Sequence, residues 1–203
     1  MAKLKLTKQE LKNQRDALQR FQRFLPTLEL KKDLLVKEIR VVEDTLAARD
    51  ADETRVRQGL APWLKLFSEP VGLEDAVRLR EIRTSEGNIA GVRIPVFDAA
   101  DFAVADYDLF STPLWLDAAV AVVQELGTLE AQRAVLRRQR VLLQHELQIT
   151  IQRINLFEKV KIPECKENIR RIQIYLGDQQ ANAVARGKIA KLKLADAQIG
   201  SFV

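Results

Sequence analysis

The sequence predicts a mainly α-helical chain: a long antiparallel two-helix coiled coil of N- and C-terminal helices, with a small central insertion that contains a β-hairpin. Apolar residues recur every three or four positions from Leu11 to Leu46 and again from Leu143 to Leu176, which places them on one face of an α-helix. Residues 73–97, between these stretches, change to a shorter period. A long helix with one apolar face needs a partner to cover that face, so each stretch is predicted to pair with the other.

The N-terminal stretch follows a heptad pattern, in which steps of three and four alternate as in a coiled coil. Its inward positions are Leu11, Gln14, Leu18, Phe21, Leu25, Leu28, Lys32, Leu35, Ile39, Val42 and Leu46. Thr7, with Glu10 three residues later, predicts the start of the helix through a capping box. Pro26 lies inside the pattern without disturbing the spacing, so we expect a kink rather than a break there. The helix is predicted to continue to about Leu60.

The C-terminal stretch has a similar apolar face. Its inward positions are Leu143, Leu147, Ile151, Ile154, Ile162, Cys165, Ile169, Ile172 and Leu176. Thr112 as cap and Pro113 at the first helical position predict where this helix begins, and Pro163 predicts a kink. Several of the inward residues are spaced by eleven, a repeat that favours a straight or slightly right-handed rod.

Residues 69–113 are predicted to form a small head between the two helices. Strands before and after a turn at residues 85–88 predict a β-hairpin, and residues 98–110 are interpreted as an ordered acidic loop that folds onto the helix base. A two-stranded hairpin is marginal alone, so it needs a surface to lie on. The predicted domains are 1–68, an N-terminal coiled-coil helix; 69–113, the head; 114–197, a C-terminal coiled-coil helix; and 198–203, a flexible tail.

The composition argues against an enzyme. His145 is the single histidine, and a general acid or a metal site needs convergent partners that a rod does not offer. No phosphate-binding loop is present, and the lone Cys165 lies on the apolar face, as a small core residue does. No stretch approaches the roughly 20 apolar residues needed to cross a bilayer. We therefore predict no catalysis, no cofactor, no metal and no direct membrane insertion.

The net charge of +5 suggests an acidic protein surface, a nucleic acid or an anionic membrane as partner. An antiparallel hairpin is expected to bring two basic clusters to one tip. They are Lys3, Lys5, Lys8 and Lys12 at one end of the chain, and Arg186, Lys188, Lys191 and Lys193 at the other. The simplest interpretation is a solvated face, and the functional one is a tip that touches an acidic sleeve. Aromatic platforms for nucleic-acid bases are missing from these faces.

The segment Gln152–Pro163 resembles the signature of the D subunit, the central rotor shaft of V/A-type rotary ATPases. Other blocks resemble the same family in the same order: Thr7 and Lys8 with Leu11 and Leu18, Lys31–Asp33 with Leu35, Asn88–Pro95, Ile169–Leu176, and the lysines Lys188, Lys191 and Lys193. Two features depart from the family. Phe157 stands where a small residue is usual, and residues 177–181 are less charged than the family's run.

The resemblance implies a non-catalytic, cytoplasmic component, peripheral to the membrane, that transmits torque between the catalytic A/B ring and the membrane ion-translocating ring. Its implied partners are the A, B and F subunits and the funnel subunit (C or d), with no nucleic acid. The expected A/B contacts are Lys3, Lys5, Lys8, Arg186, Lys188, Lys191 and Lys193. The expected F and funnel contacts are Arg83, Ile89, Val92, Arg93, Ile94, Arg133 and Arg137. The signature residues are Arg153, Asn155, Glu158 and Pro163, of which Arg153 is the better candidate for a partner contact and Asn155 is interpreted as setting register.

The competing hypothesis is a free-standing basic helical adaptor or nucleic-acid-binding rod. Co-purification distinguishes the two, because only a shaft is expected to be isolated together with the other ATPase components.

Overall fold

The structure, a computed structural model, describes residues 4–63, 65–66, 76–107 and 112–200. In chain order, its elements are helix α1 (Lys8–Leu60), a short 3-10 turn (Ala61–Trp63), strands β1 (Val77–Ile89) and β2 (Val92–Val104), helix α2 (Leu116–Leu156), a π-helical turn (Phe157–Lys161) and helix α3 (Ile162–Gly200). The predicted fold class is confirmed. Lys3, the first residues of the predicted head, 69–75, and residues 201–203 of the predicted tail lie outside the described residues.

The chain divides into two compact units. We call Lys31–Thr150 the hairpin unit, and Met1–Leu30 with Ile151–Val203 the terminal unit. Within the hairpin unit, α1 and α2 run antiparallel, because Lys31 contacts Glu146 whereas Glu53, farther along α1, contacts Arg133, which is earlier in α2.

Helix α1 begins and continues as its sequence predicts. The Thr7 hydroxyl accepts a hydrogen bond from the Glu10 backbone N–H at 3.2 Å, which satisfies one of the donors left open in the first helical turn. The helix runs through Pro26 without a break. The predicted inward positions are the shielded ones: those from Leu11 to Lys32 are half-buried, and Leu35, Ile39 and Val42 are buried. The heptad prediction is therefore confirmed.

The β-hairpin lies on the helices of the hairpin unit. Ile94 from β2 is 4% exposed and packs in one cluster with residues of both helices, among them Leu35 and Leu143. The Gln139 side-chain amide donates to the Pro95 carbonyl at 2.5 Å, which ties β2 to α2. Burial of Ile94 supplies the surface that a two-stranded hairpin needs.

A second cluster holds the base of the hairpin against the start of α2. Its buried members are Ala76, Val77, Leu116 and Val120, with Phe102 packed against them. Gly127 lies under the Phe102 ring, where a Cβ atom would come within 2.8 Å of two ring carbons. The missing side chain therefore lets the aromatic ring lie directly on the helix.

The hairpin turn lies farther along the chain than predicted. Strands β1 and β2 pair from Ile89 opposite Val92 outward, with register shifts between Arg83 and Thr84 and between Leu79 and Glu81, and the turn is Ala90–Gly91. Both turn residues have positive φ, at 53° and 82°, as in the two-residue turns that match strand twist. The Asn88 side-chain oxygen accepts a hydrogen bond from the Gly91 N–H at 2.9 Å. The predicted turn at 85–88 is wrong. Its polar residues suit a turn by composition, but they lie in β1 and pair with residues of β2.

The predicted acidic loop is also partly wrong, because β2 continues to Val104. Two carboxylates of this segment contact side chains of β1. Asp98 accepts a hydrogen bond from the Ser85 hydroxyl at 2.9 Å, and Asp101 pairs with Arg83 at 2.8 Å. Such cross-strand pairs stabilise a sheet, so these acidic residues extend the strand instead of ending it.

Replacing Ala90 with asparagine is expected to stabilise the protein. Alanine is disfavoured at φ 53°, and Asn-Gly is the preferred pair for a turn with two positive φ angles. We expect the free energy of unfolding to rise by about 0.5–1 kcal/mol, measured by thermal denaturation. Ala103→Asn, at an exposed β2 position, is the control and is expected to be neutral or destabilising. A lower melting temperature for Ala90→Asn would contradict the assigned turn.

Two predictions for the C-terminal helix need correction. Helix α2 begins at Leu116, not at Pro113, and the Leu116 N–H bonds to the Pro113 carbonyl at 3.0 Å in a separate turn. The kink expected at Pro163 stays a prediction, and a π-helical turn lies directly before that residue. Ile151 is 39% exposed, and Thr150 is inward instead at 0%, since steps of three and four between Leu147 and Ile154 allow either position.

Candidate functional site

The described part of the chain offers surfaces rather than an enclosed reaction site. No group of three or more histidine, cysteine, aspartate or glutamate side chains there is arranged to hold a metal ion. None of the described helices is long and apolar enough to span a bilayer. The candidate functional features are therefore the far end of α3, the hairpin and its neighbouring arginines, and the signature segment.

The far end of α3 is an exposed single helix. We call residues 179–193 the distal segment, and every side chain in it is exposed. The first described residues of the chain reach only to the turn before it: Leu4 and Leu6 line a shallow groove with Ile174, Tyr175 and Asp178. At 1.5 Å per residue, the distal segment extends for about 22 Å.

The distal segment combines positive charge with exposed apolar side chains. It has no aspartate or glutamate, and its cations are Arg186, Lys188, Lys191 and Lys193. Val184, Ile189 and Leu192 are 59%, 54% and 66% exposed. An exposed apolar and basic surface on one helix is typical of a segment that contacts another macromolecule.

The single basic tip expected from the sequence stays a prediction. Lys5 and Lys8 are exposed, and Lys5 lies between the two leucines that line a groove with residues 171–178 of α3. Lys188 is ten residues beyond Asp178, which is about 15 Å along a helix.

The residues expected to contact F and the funnel subunit fall into internal and surface groups. Ile94 is buried, and Ile89 and Val92 pack against the same core cluster. Arg93 is exposed. The side chains of Arg83 and Arg137 are 59% and 44% exposed, although each has a carboxylate partner. A partner-binding role for all these residues stays a prediction, with the exposed arginines as the stronger candidates.

Arg133 lies at the centre of an ion-pair network that the sequence reasoning missed. Its side chain is 15% exposed and contacts Asp50 at 2.6 Å, Glu130 at 2.6 Å, and Glu53. Two of these carboxylates belong to α1, so the network joins α1 to α2. The signal in the sequence was the pair of acidic residues three apart on α1, but nothing in the sequence alone places them opposite Arg133.

The charges in this network shift pKa values. The hydrogen bond from Arg57 at 2.8 Å is the main reason that the pKa of Glu53 is lowered, with the Arg133 charge acting in the same direction and burial acting against both. A lowered pKa keeps Glu53 ionised at neutral pH. The pKa of Arg133 is raised, because the three carboxylates outweigh the opposing effect of burial. Both groups therefore remain charged, and α1 stays paired to α2.

The signature residues surround the π-helical turn. Arg153, Glu158 and Pro163 are exposed, whereas Asn155 is half-buried. Phe157 opens the turn, and its ring centroid lies 4.9 Å from that of Phe21 on α1, within the range of favourable aromatic pairs. The exposure of Arg153 suits a partner contact, which stays a prediction.

Comparison with known proteins gives matches along nearly the whole chain. The family of the ATP synthase D subunit matches residues 10–192. The chain is 42% identical over 194 residues to a V-type ATP synthase D subunit from Borreliella burgdorferi, with 96% of each chain covered. It is 32% identical over 194 residues to the V-type ATP synthase D subunit of Chlamydia pneumoniae, covering 94% of this chain and 93% of that one. It is 31% identical over 196 residues to that of Chlamydia trachomatis, covering 95% and 97%.

Proposed function

This chain belongs to the family of the ATP synthase D subunit, and on that premise we propose that it is the central rotor shaft of a V-type ATP synthase. In this role it transmits torque between a catalytic A/B ring and a membrane ion-translocating ring. It performs no chemistry itself, and its function is mechanical. As a member of this family, it is part of a multi-subunit ATP synthase.

The observation that carries the proposal is the distal segment. It is a single helix about 22 Å long, wholly exposed, without acidic residues, and with both cations and apolar side chains on its surface. A narrow helix of this kind fits inside a ring of subunits better than a thick bundle does. Its positive charges suit an acidic lining of the ring, and its apolar residues suit a contact that slides without fixed hydrogen bonds.

The packing of the hairpin unit supports torque transmission. Helices α1 and α2 are joined by the buried cluster around Leu35 and Leu143 and by the Arg133 network. Close-packed side chains resist displacement, and ion pairs that link two helices oppose sliding of one past the other. A twist applied to one helix is therefore passed to its partner.

The hairpin supplies the surface proposed for F and the funnel subunit. Arg83, Arg93 and Arg137 leave exposed guanidinium groups in the hairpin unit, and arginine is the side chain best suited to bidentate pairing with carboxylates. The proposed partner surface is therefore acidic. Membrane association of this chain would be indirect, through the funnel subunit.

Single-molecule rotation tests the proposal. An A/B ring fixed to glass, with this chain and F assembled in it and a bead attached to the chain, is expected to turn the bead in one direction when ATP is added. A matched complex with a non-hydrolysable ATP analogue is the control and is expected to remain still. A complex that hydrolyses ATP while the chain stays fixed to the ring would contradict the shaft assignment.

A further inference from the structure

The π-helical turn Phe157–Lys161 carries an inference about helix register. Its defining bond runs from the Ile162 N–H to the Phe157 carbonyl, five residues back instead of the four of an α-helix. The turn therefore contains one more residue than the α-helical turns on either side of it.

The shielded residues of the terminal unit shift by one position across this turn. Up to the end of the turn, the half-buried residues Ile154, Phe157 and Lys161 follow steps of three and four, with Asn155 also half-buried beside Ile154. After it, the steps of three and four resume one residue later, and all members of this second set are half-buried or buried. They are Ile162, Cys165, Ile169, Ile172 and Leu176.

A continuous α-helix does not place both sets of shielded residues on one face. Continuing the second set backward from Ile162 in steps of four, three and four reaches Glu158, Asn155 and Ile151. Of these, Glu158 and Ile151 are exposed and Asn155 is half-buried. Phe157, which this register would turn by about 100° away from the inward face, packs on Phe21. Two stretches that each follow steps of three and four are thus separated by a single extra residue.

Proline alone does not explain the extra residue. Pro163 lacks the N–H that would bond to residue 159 and its ring disfavours an α-helical turn before it. Pro26, however, lies inside α1, which is α-helical from Lys8 to Leu60. The same residue type is accommodated there without a π-helical turn.

We propose that the π-helical turn is a skip: it absorbs one surplus residue so that Phe157 and Cys165 both face inward in the terminal unit. Between Phe157 and Ile162 lie four residues instead of the three that a step of four contains, and Glu158, Lys159 and Val160 among them are exposed. The amides of the turn are expected to exchange faster than those of the packed α-helical turns on either side of it, because the longer ring of its hydrogen bond is less favourable than that of an α-helix. The inference is independent of the rotor assignment.

Deleting the surplus residue tests the skip. Removal of Val160 in a Pro163→Ala background places Ile162 four residues after Phe157 and Cys165 three after that, which is a continuous heptad. This full-length variant is expected to melt within about 3 °C of Pro163→Ala alone or above it. Cys165 is the only cysteine and is 5% exposed, so its reaction rate with a thiol reagent reports the inward face. That rate is expected to stay within about twofold of the parent.

Deletion of Gln22 is the matched control on the facing helix. Gln22 is exposed, and α1 has no π-helical turn that could absorb a change in length. The deletion rotates Leu18 and Phe21 by about 100° relative to Leu25, and a fall in melting temperature of more than about 5 °C is expected.

Three results would overturn the skip. The first is a loss of stability in the Val160 deletion as large as in the Gln22 deletion, and the second is a faster reaction of Cys165 in the Val160 deletion. The third comes from hydrogen exchange on Pro163→Ala alone. In that variant, the backbone amides of residues 158–162 are expected to remain faster to exchange than their neighbours, and their full protection would show that the proline, not the register, creates the turn.

Discussion

Replacing Leu35 with aspartate is expected to abolish the cooperative unfolding of the hairpin unit. Leu35 is 0% exposed and packs with Ile39, Val42, Ile94 and Leu143, which come from α1, β2 and α2. A carboxylate there has no cation to pair with in that apolar cluster, and its burial costs on the order of several kcal/mol. That is a large fraction of the roughly 5–15 kcal/mol by which a typical domain is stable. Circular dichroism during heating is expected to show a broad, early loss of helix.

The neighbouring residue provides the control. Leu34 is 44% exposed, so Leu34→Asp makes the same chemical change on the solvent side of the same helical turn. Its melting temperature is expected to change by less than about 2 °C. Equal transitions for Leu35→Asp and wild type would refute the paired-helix packing that the structure shows.

Reversing the charge of the distal segment is expected to prevent stable insertion into the A/B ring. The change is Lys188→Glu, Lys191→Glu and Lys193→Glu together. A single exposed ion pair is worth about 0–1 kcal/mol, so one substitution matters little. Three reversals replace attraction by repulsion at each position, and we expect more than about a tenfold loss of affinity for the ring at low salt. Binding of F, proposed at the hairpin unit, is expected to change much less.

The N-terminal lysines give the matched comparison for this experiment. Lys5→Glu with Lys8→Glu also reverses charge, but Leu4 and Leu6, on either side of Lys5, line a groove with residues 171–178 of α3, before the distal segment. A smaller effect on ring affinity is expected from this pair. An oligonucleotide gel shift on the same proteins addresses the competing hypothesis. If the triple variant retained its affinity for the ring but lost binding to an oligonucleotide, the shaft proposal would be wrong.

The parts of the fold that depend on local spacing were predictable from the sequence. The heptad of α1 was confirmed from Leu11 to Val42 because side-chain direction follows helix geometry directly. The Thr7 cap was confirmed because a hydroxyl at that position satisfies nearby backbone donors. The continuity of α1 through Pro26 was predictable because the spacing on both sides stayed in register.

The parts that depend on tertiary choice were not predictable in the same way. Residues 85–88 and 90–91 are both suitable for a turn by composition, and the pairing of β1 with β2 decided between them. Thr150 and Ile151 both fit a step of three or four, and the register of α2 selected the threonine. Arg133 looked like a surface cation, yet its three carboxylate partners include two from a helix about eighty residues earlier in the chain. Long-range pairing of this kind leaves little trace in one sequence.

The distal segment also bears on how the cell disposes of unassembled copies. A helix whose side chains are exposed all along residues 179–193 is expected to be a good substrate for proteases, because local unfolding of such a helix costs little. Enclosure in a ring removes that access. If the chain has the proposed shaft role, a surplus copy is expected to be cut within the distal segment while a copy enclosed in a ring persists, so the same exposed surface would help to match the number of shafts to the number of rings.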